Sequence, residues 1–122
     1  MEGARRLRKQ LVRVLEQQLE LVPEDVRARI LLAANYAFFG RQEEAGRELQ
    51  TAVTLRPNDA NILYNAACTY GIMEKKAEAL ALLGRARAAG FLNVDWAARD
   101  PDLACLRDDP EFQSLIQPGP KP

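Results

Sequence analysis

The sequence predicts an all-α fold, a row of helical hairpins that stack into a solenoid and end in a short helical cap. Three observations carry this prediction. The chain repeats itself at a shift of 34 residues, so that PEDVRARILLAANY from Pro23 falls onto PNDANILYNAACTY from Pro57. Within each copy apolar residues recur at helical spacing, and small residues sit where two helices must approach closely. Beyond the second copy, two Asp-Pro steps mark fresh helix starts over a new apolar pattern.

Residues 1–23 read as a lone helix. LVRVLEQQLELVP aligns with AGRELQTAVTLRP, placing Leu11 on Ala45, Leu15 on Leu49, Leu21 on Leu55 and Pro23 on Pro57, while Gln18 breaks an alanine position. This segment is the second helix of an earlier hairpin whose first helix is absent or degenerate. Either it is an N-terminal cap or the chain was cut from a longer protein.

The first full copy spans residues 24–57. The acidic pair Glu24 and Asp25 after Pro23 caps a helix with Ile30, Ala33, Ala34, Ala37 and Phe38 at helical spacing, and Gly40 ends it. A second helix follows from about Gln42 to Leu55, with Ala45, Leu49, Ala52 and Val53 on one face, and Pro57 stops it. Residues 58–91 repeat the plan: Leu32 falls on Ala66, Ala33 on Ala67, Tyr36 on Tyr70, Glu44 on Glu78, Ala45 on Ala79, Leu49 on Leu83 and Ala52 on Ala86. The alanines let paired helices come close, and Leu32, Leu49, Tyr36 and Tyr70 fill the remaining volume. A hairpin cannot bury its own apolar face, so neighbours must stack.

Residues 92–117 change pattern. Asp100-Pro101 and Asp109-Pro110 each place an N-cap before a proline at the first helical position, with Asp102 and Glu111 complementing the dipole. Trp96, Leu103, Leu106, Phe112, Leu115 and Ile116 supply the apolar side that lies over the end of the stack. The closing residues 118–122, PGPKP, read as a disordered tail.

Composition excludes several function classes. The 122 residues hold 17 basic and 17 acidic side chains, so no net field steers the chain toward nucleic acid, anionic lipid or acidic substrate. Histidine is absent, which removes the commonest general base and the commonest transition-metal ligand. Cys68 and Cys105 stand apart without metal-ligand spacing, and this usage points to a reducing, cytoplasmic setting with no disulfide framework. The longest nearly apolar run, Ile30 to Phe39, falls short of the roughly 18 to 20 residues that span a bilayer, and no signal-peptide pattern opens the chain. No cofactor is expected, and no loop converges enough oxygens for a hard cation.

The pattern of leucine, small residue and tyrosine in each first helix, with alanine, bulky apolar residue, alanine, leucine and proline in the second, resembles the tetratricopeptide repeat. The resemblance covers residues 26–59 and 60–93, and departs at the usual first-helix tryptophan, which is Arg29 and Leu63 here. In the second copy Glu74 replaces the turn glycine and Phe91 the closing proline. The closing segment resembles the ends of such arrays in bacterial multi-domain signalling and regulatory proteins. The family implies about two and a half hairpins whose first helices line a concave groove for a protein or peptide partner, without catalysis. Projected onto this chain, the groove comprises Arg27, Ile30, Ala34, Ala37 and Phe38, then Asn61, Tyr64, Asn65, Cys68 and Ile72, a mostly apolar surface suited to an amphipathic helix. The family's carboxylate clamp for chaperone tails is not expected. Asn65 matches one clamp asparagine, but Ile30 and Ala34 stand where a lysine and a second asparagine belong.

Two further expectations concern the N-terminal helix. Without its hairpin mate, some of Val12, Val14, Leu15 and Leu19 face solvent, which suggests a homodimer through that end or through the groove. The cluster Arg5, Arg6, Arg8, Lys9 and Arg13 is a lesser candidate for binding nucleic acid or anionic surfaces, with no interleaved aromatic for base stacking.

Overall fold

The computed structural model describes residues 2–91 and 93–117, and every regular element among them is helical. The predicted tail, residues 118–122, lies outside the described residues. No described helix is long and apolar enough to cross a membrane. The chain divides into two compact units, Met1–Pro57 and Asn58–Pro122, split where the second sequence copy begins.

The first unit holds α1 (Glu2–Leu21), α2 (Val26–Phe38) and α3 (Gln42–Leu55). Asp25 starts α2 by accepting the Ala28 amide at 3.1 Å. That hydrogen bond, with one from Gln18, holds its carboxyl below the usual range. Ala33, Ala45, Leu49 and Ala52 have no exposed surface, as close approach of α2 and α3 through their alanines requires. Val12 and Leu15 of α1 join this core. Arg29 crosses from α2 to Glu48 on α3 at 2.7 Å, whereas its counterpart Leu63 is fully buried in the second unit.

The turn after α2 follows from backbone hydrogen bonding. The Arg41 amide reaches back to the Tyr36 carbonyl and the Gly40 amide to Ala37, a Schellman arrangement with Gly40 at φ +75°. The same pair of bonds recurs at Lys75 to Tyr70 and Glu74 to Gly71, and again at Phe91 to Ala86 and Gly90 to Arg87. The left-handed residue in the second turn is Glu74, at φ 59°, a conformation glycine adopts without strain.

The second unit holds α4 (Ala60–Ile72), α5 (Lys76–Ala88), α6 (Val94–Arg99), a 3₁₀ helix (Pro101–Leu106) and α7 (Pro110–Leu115). Helix α4 packs on α5, the 3₁₀ helix packs on α4, and α7 packs on α5. Both Asp-Pro steps start helices as expected, with Asp100 accepting from the Asp102 amide and Asp109 from those of Glu111 and Phe112. Leu103, Leu106 and Phe112 are buried, and Leu115 and Ile116 half-buried, beneath this closing segment. Trp96 departs from expectation and stays 45% exposed. The reason is phase: α6 is six residues long and turns Val94 and Ala97, three apart, inward, leaving Trp96 off that face.

Candidate functional site

The predicted groove residues fall on the two units with different fates. On α2, Arg27 and Phe38 are exposed while Ile30, Ala34 and Ala37 are half-buried. Leu31, which the sequence projection left out, is 46% exposed and completes a stripe Arg27, Leu31, Ala34, Phe38 at spacings of four, three and four.

The basic cluster of α1 closes one end of this stripe. The Arg8 guanidinium lies 4.3 Å from the Phe38 ring centre and donates to the Asn35 side chain at 3.2 Å. Arg5 sits 5.0 Å above Phe39, whose ring meets that of Phe38 edge to face. Asn35, the polar break in the apolar run, is buried and satisfied, because its amide also donates to the Leu31 carbonyl. Two of the five cations thus rest on aromatic rings, a contact that stabilises by about 0.5 to 1 kcal/mol when exposed.

On the α1 side, a cavity of about 450 Å³ is lined by Lys9, Val12, Arg13, Glu16, Phe39 and Arg41. Two of its four charged residues, Glu16 and Arg41, are engaged within the protein. Glu16 accepts the Tyr36 hydroxyl at 2.6 Å, and Arg41 pairs with Glu44 at 2.6 Å while lying over the Tyr36 ring. Burial, then the Glu16 carboxylate, pushes the Tyr36 phenol above its ordinary range.

On α4 the projection needs correction. Asn61, Asn65 and Ile72 are exposed, but Tyr64 and Cys68, projected as groove surface, are buried. The cause is the segment from Phe91 onward. The Tyr64 hydroxyl donates to Asp100 Oδ2 at 2.7 Å, the Cys68 thiol approaches the same oxygen at 3.6 Å, and the Phe91 ring stacks on Tyr64 with centroids 4.2 Å apart. Asp100 itself is only 5% exposed, and its other oxygen accepts the Asp102 amide.

Burial, followed by the Asp100 charge, pushes the Cys68 thiol far above the range of a nucleophilic thiolate. Burial and the hydrogen bond to Asp100 likewise push the Tyr64 phenol up. Asp102 is raised by burial and by the neighbouring Asp100 charge. Cys68, Asp100 and Asp102 bring one sulfur and two carboxylate ligand atoms within 4.8 Å of one another, the donor set nearest to a cation site among the described residues. Both oxygens of Asp100 also accept hydrogen bonds, one from the Asp102 amide within the segment and one from the Tyr64 hydroxyl, and the latter ties the segment to α4 as a latch.

Gly71 explains how the segment comes so near. A Cβ there would lie 2.5 Å from the Asp102 carbonyl oxygen and 3.2 Å from Leu103 Cδ2. Cys105, half-buried, donates its thiol to the Gly71 carbonyl at 3.4 Å. A glycine where the first copy has Ala37 was the one signal in the sequence that another backbone passes here.

The chain matches no family model, no curated protein and no solved structure. Its functional reading therefore rests on these residues.

Proposed function

We propose that the chain is a non-enzymatic protein-interaction module of the tetratricopeptide-repeat kind, a solenoid of about two and a half hairpins that presents the open face of α2 to a peptide or helix. The repeat period of 34 and the Schellman turns at Gly40 and Glu74, 34 residues apart, support the repeat reading. The observation that carries the function is the stripe Arg27, Leu31, Ala34, Phe38, in which two large apolar side chains remain nearly half exposed on one helix face. Covering what is left of Leu31 and Phe38 stabilises a complex by about 1 kcal/mol each. An amphipathic helix offers anchors at the same spacing. Asn61, Asn65 and Ile72 are the predicted groove positions of α4 that are turned outward on the second unit.

Catalysis finds no support in the residues present. The chain has no histidine, and its buried thiol and phenol are both held protonated. A displayed random-peptide library selected against the full chain tests the proposal. Enriched peptides should share apolar residues at helical spacing, and Leu31→Ser with Phe38→Ser should weaken them at least tenfold in fluorescence polarisation. Peptides that bind this double variant unchanged would sink the assignment of the face.

A further inference from the structure

Helix α1 carries more apolar surface than its own unit covers. Val12 and Leu15 are buried, yet Leu7, Val14 and Leu21 remain 66%, 58% and 80% exposed, seven residues apart on one line. With Ala4, Leu11 and Gln18 between them the spacing runs three, four, three, four, three, the heptad pattern of a helix that pairs with another helix. The sequence expectation for this end named Val12, Val14, Leu15 and Leu19. The structure keeps Val14 and replaces the others with Leu7 and Leu21, because Val12 and Leu15 face inward and Leu19 is half-buried.

Charge along the helix says what covers the line. The half Glu2–Leu11 holds Arg5, Arg6, Arg8 and Lys9 against Glu2 alone, whereas the half Val12–Leu21 holds Glu16 and Glu20 against Arg13, with Glu24 just beyond. Arg6, Lys9, Glu20 and Glu24 are exposed and form no ion pair among the described residues. A parallel copy would set the basic halves side by side. An antiparallel copy sets each basic half against an acidic half, so the face is complementary to itself under a two-fold axis.

We propose that α1 docks against α1 of a second copy in antiparallel orientation, with Val14 at the two-fold axis and Leu7 of each copy beside Leu21 of the other. This register sets Arg6 on the flank of the seam toward the acidic end of the second copy, where Glu20 and Glu24 lie, while Lys9, two residues beyond Leu7, stays on the far side of the helix beside its own unit's cavity. It is independent of the peptide-binding reading, which uses the open face of α2.

Sedimentation equilibrium of the full chain tests it. At low salt the expected result is a monomer–dimer equilibrium with a Kd on the order of 10 to 100 µM, given so few anchoring side chains, and added salt weakens it. Val14→Glu, at an outward position that leaves circular dichroism unchanged, should weaken the dimer at least tenfold. Orientation is read by oxidative cross-linking, with the unsubstituted chain as background for Cys68 and Cys105. A mixture of Leu7→Cys and Leu21→Cys chains should cross-link, and Leu7→Cys alone should not. A monomer at every concentration overturns the proposal and leaves the stripe to a different partner. A dimer indifferent to Val14→Glu overturns the site, and efficient cross-linking of Leu7→Cys alone overturns the orientation.

Discussion

Replacing Gly71 with alanine should loosen the closing segment from α4. The new Cβ would lie 2.5 Å from the Asp102 carbonyl oxygen, so that backbone must retreat by roughly 1 Å to reach ordinary van der Waals distance. Leu103, with no exposed surface of its own, would be pressed at the same time. Overpacking of this sort costs about 1 to 3 kcal/mol. Alanine recovers at most about 1 kcal/mol from its better helix propensity, and less in the last turn of α4. With about 0.5 kcal/mol recovered, a net loss of about 0.5 to 2.5 kcal/mol remains, or roughly 2 to 20 °C in the melting temperature of a unit this size. The chain's single tryptophan, Trp96, sits in the same unit and reports its melting by fluorescence. Gly46 supplies the contrast. It lies inside α3 with nothing within 4 Å of the place an added methyl group would take, so Gly46→Ala should stabilise by about 0.5 to 1 kcal/mol, read by circular dichroism. A Gly71→Ala chain whose Trp96 transition comes at or above that of the parent would refute the seating of Asp102 on α4.

Three more outcomes follow, one of them comparing the two units. Tyr64→Phe removes the donor to a buried carboxylate and should lower stability by about 1.5 to 3 kcal/mol in urea titration, the usual range for a hydrogen bond to a charged group. Glu74→Gly relieves a side chain held at φ 59° and should raise stability by about 1 kcal/mol, whereas Gly40→Ala in the first unit should lower it by a similar amount, both read as shifts of the urea midpoint. Asp102 has its carboxyl raised in the folded state, so its contribution favours folding in acid and is lost as pH rises through the folded value. Asp102→Asn should therefore move the urea midpoint upward at neutral pH and leave it nearly unchanged near about pH 3.

Local features were legible in the sequence wherever the deciding neighbours lie within a hairpin. Asp25, Asp100 and Asp109 were readable as helix starts because a cap is decided by amides two or three residues away. The alanines of α2 and α3 were readable because the copy 34 residues later repeats them. Tyr64 and Cys68 were misjudged for the opposite reason. Alignment with Ile30 and Ala34 transfers the face of the helix, but it carries nothing about a segment that later covers that face in one copy only. The covering group, Asp100, lies 36 and 32 positions downstream, and its local pattern announced only a helix start. Leu31 escaped because exposure along a helix edge depends on how its neighbours pack.

The latch on α4 also sets a condition on anything that would use that face. A partner seeking Tyr64 or Cys68 must first lift Asp100 away, and its apparent affinity falls by the fraction of molecules in which the segment is open. An opening free energy of about 3 kcal/mol would weaken such a partner roughly a hundredfold. Cys68 makes that hidden equilibrium measurable, since a thiol reagent reaches it only in the opened molecule and its labelling rate counts those molecules directly.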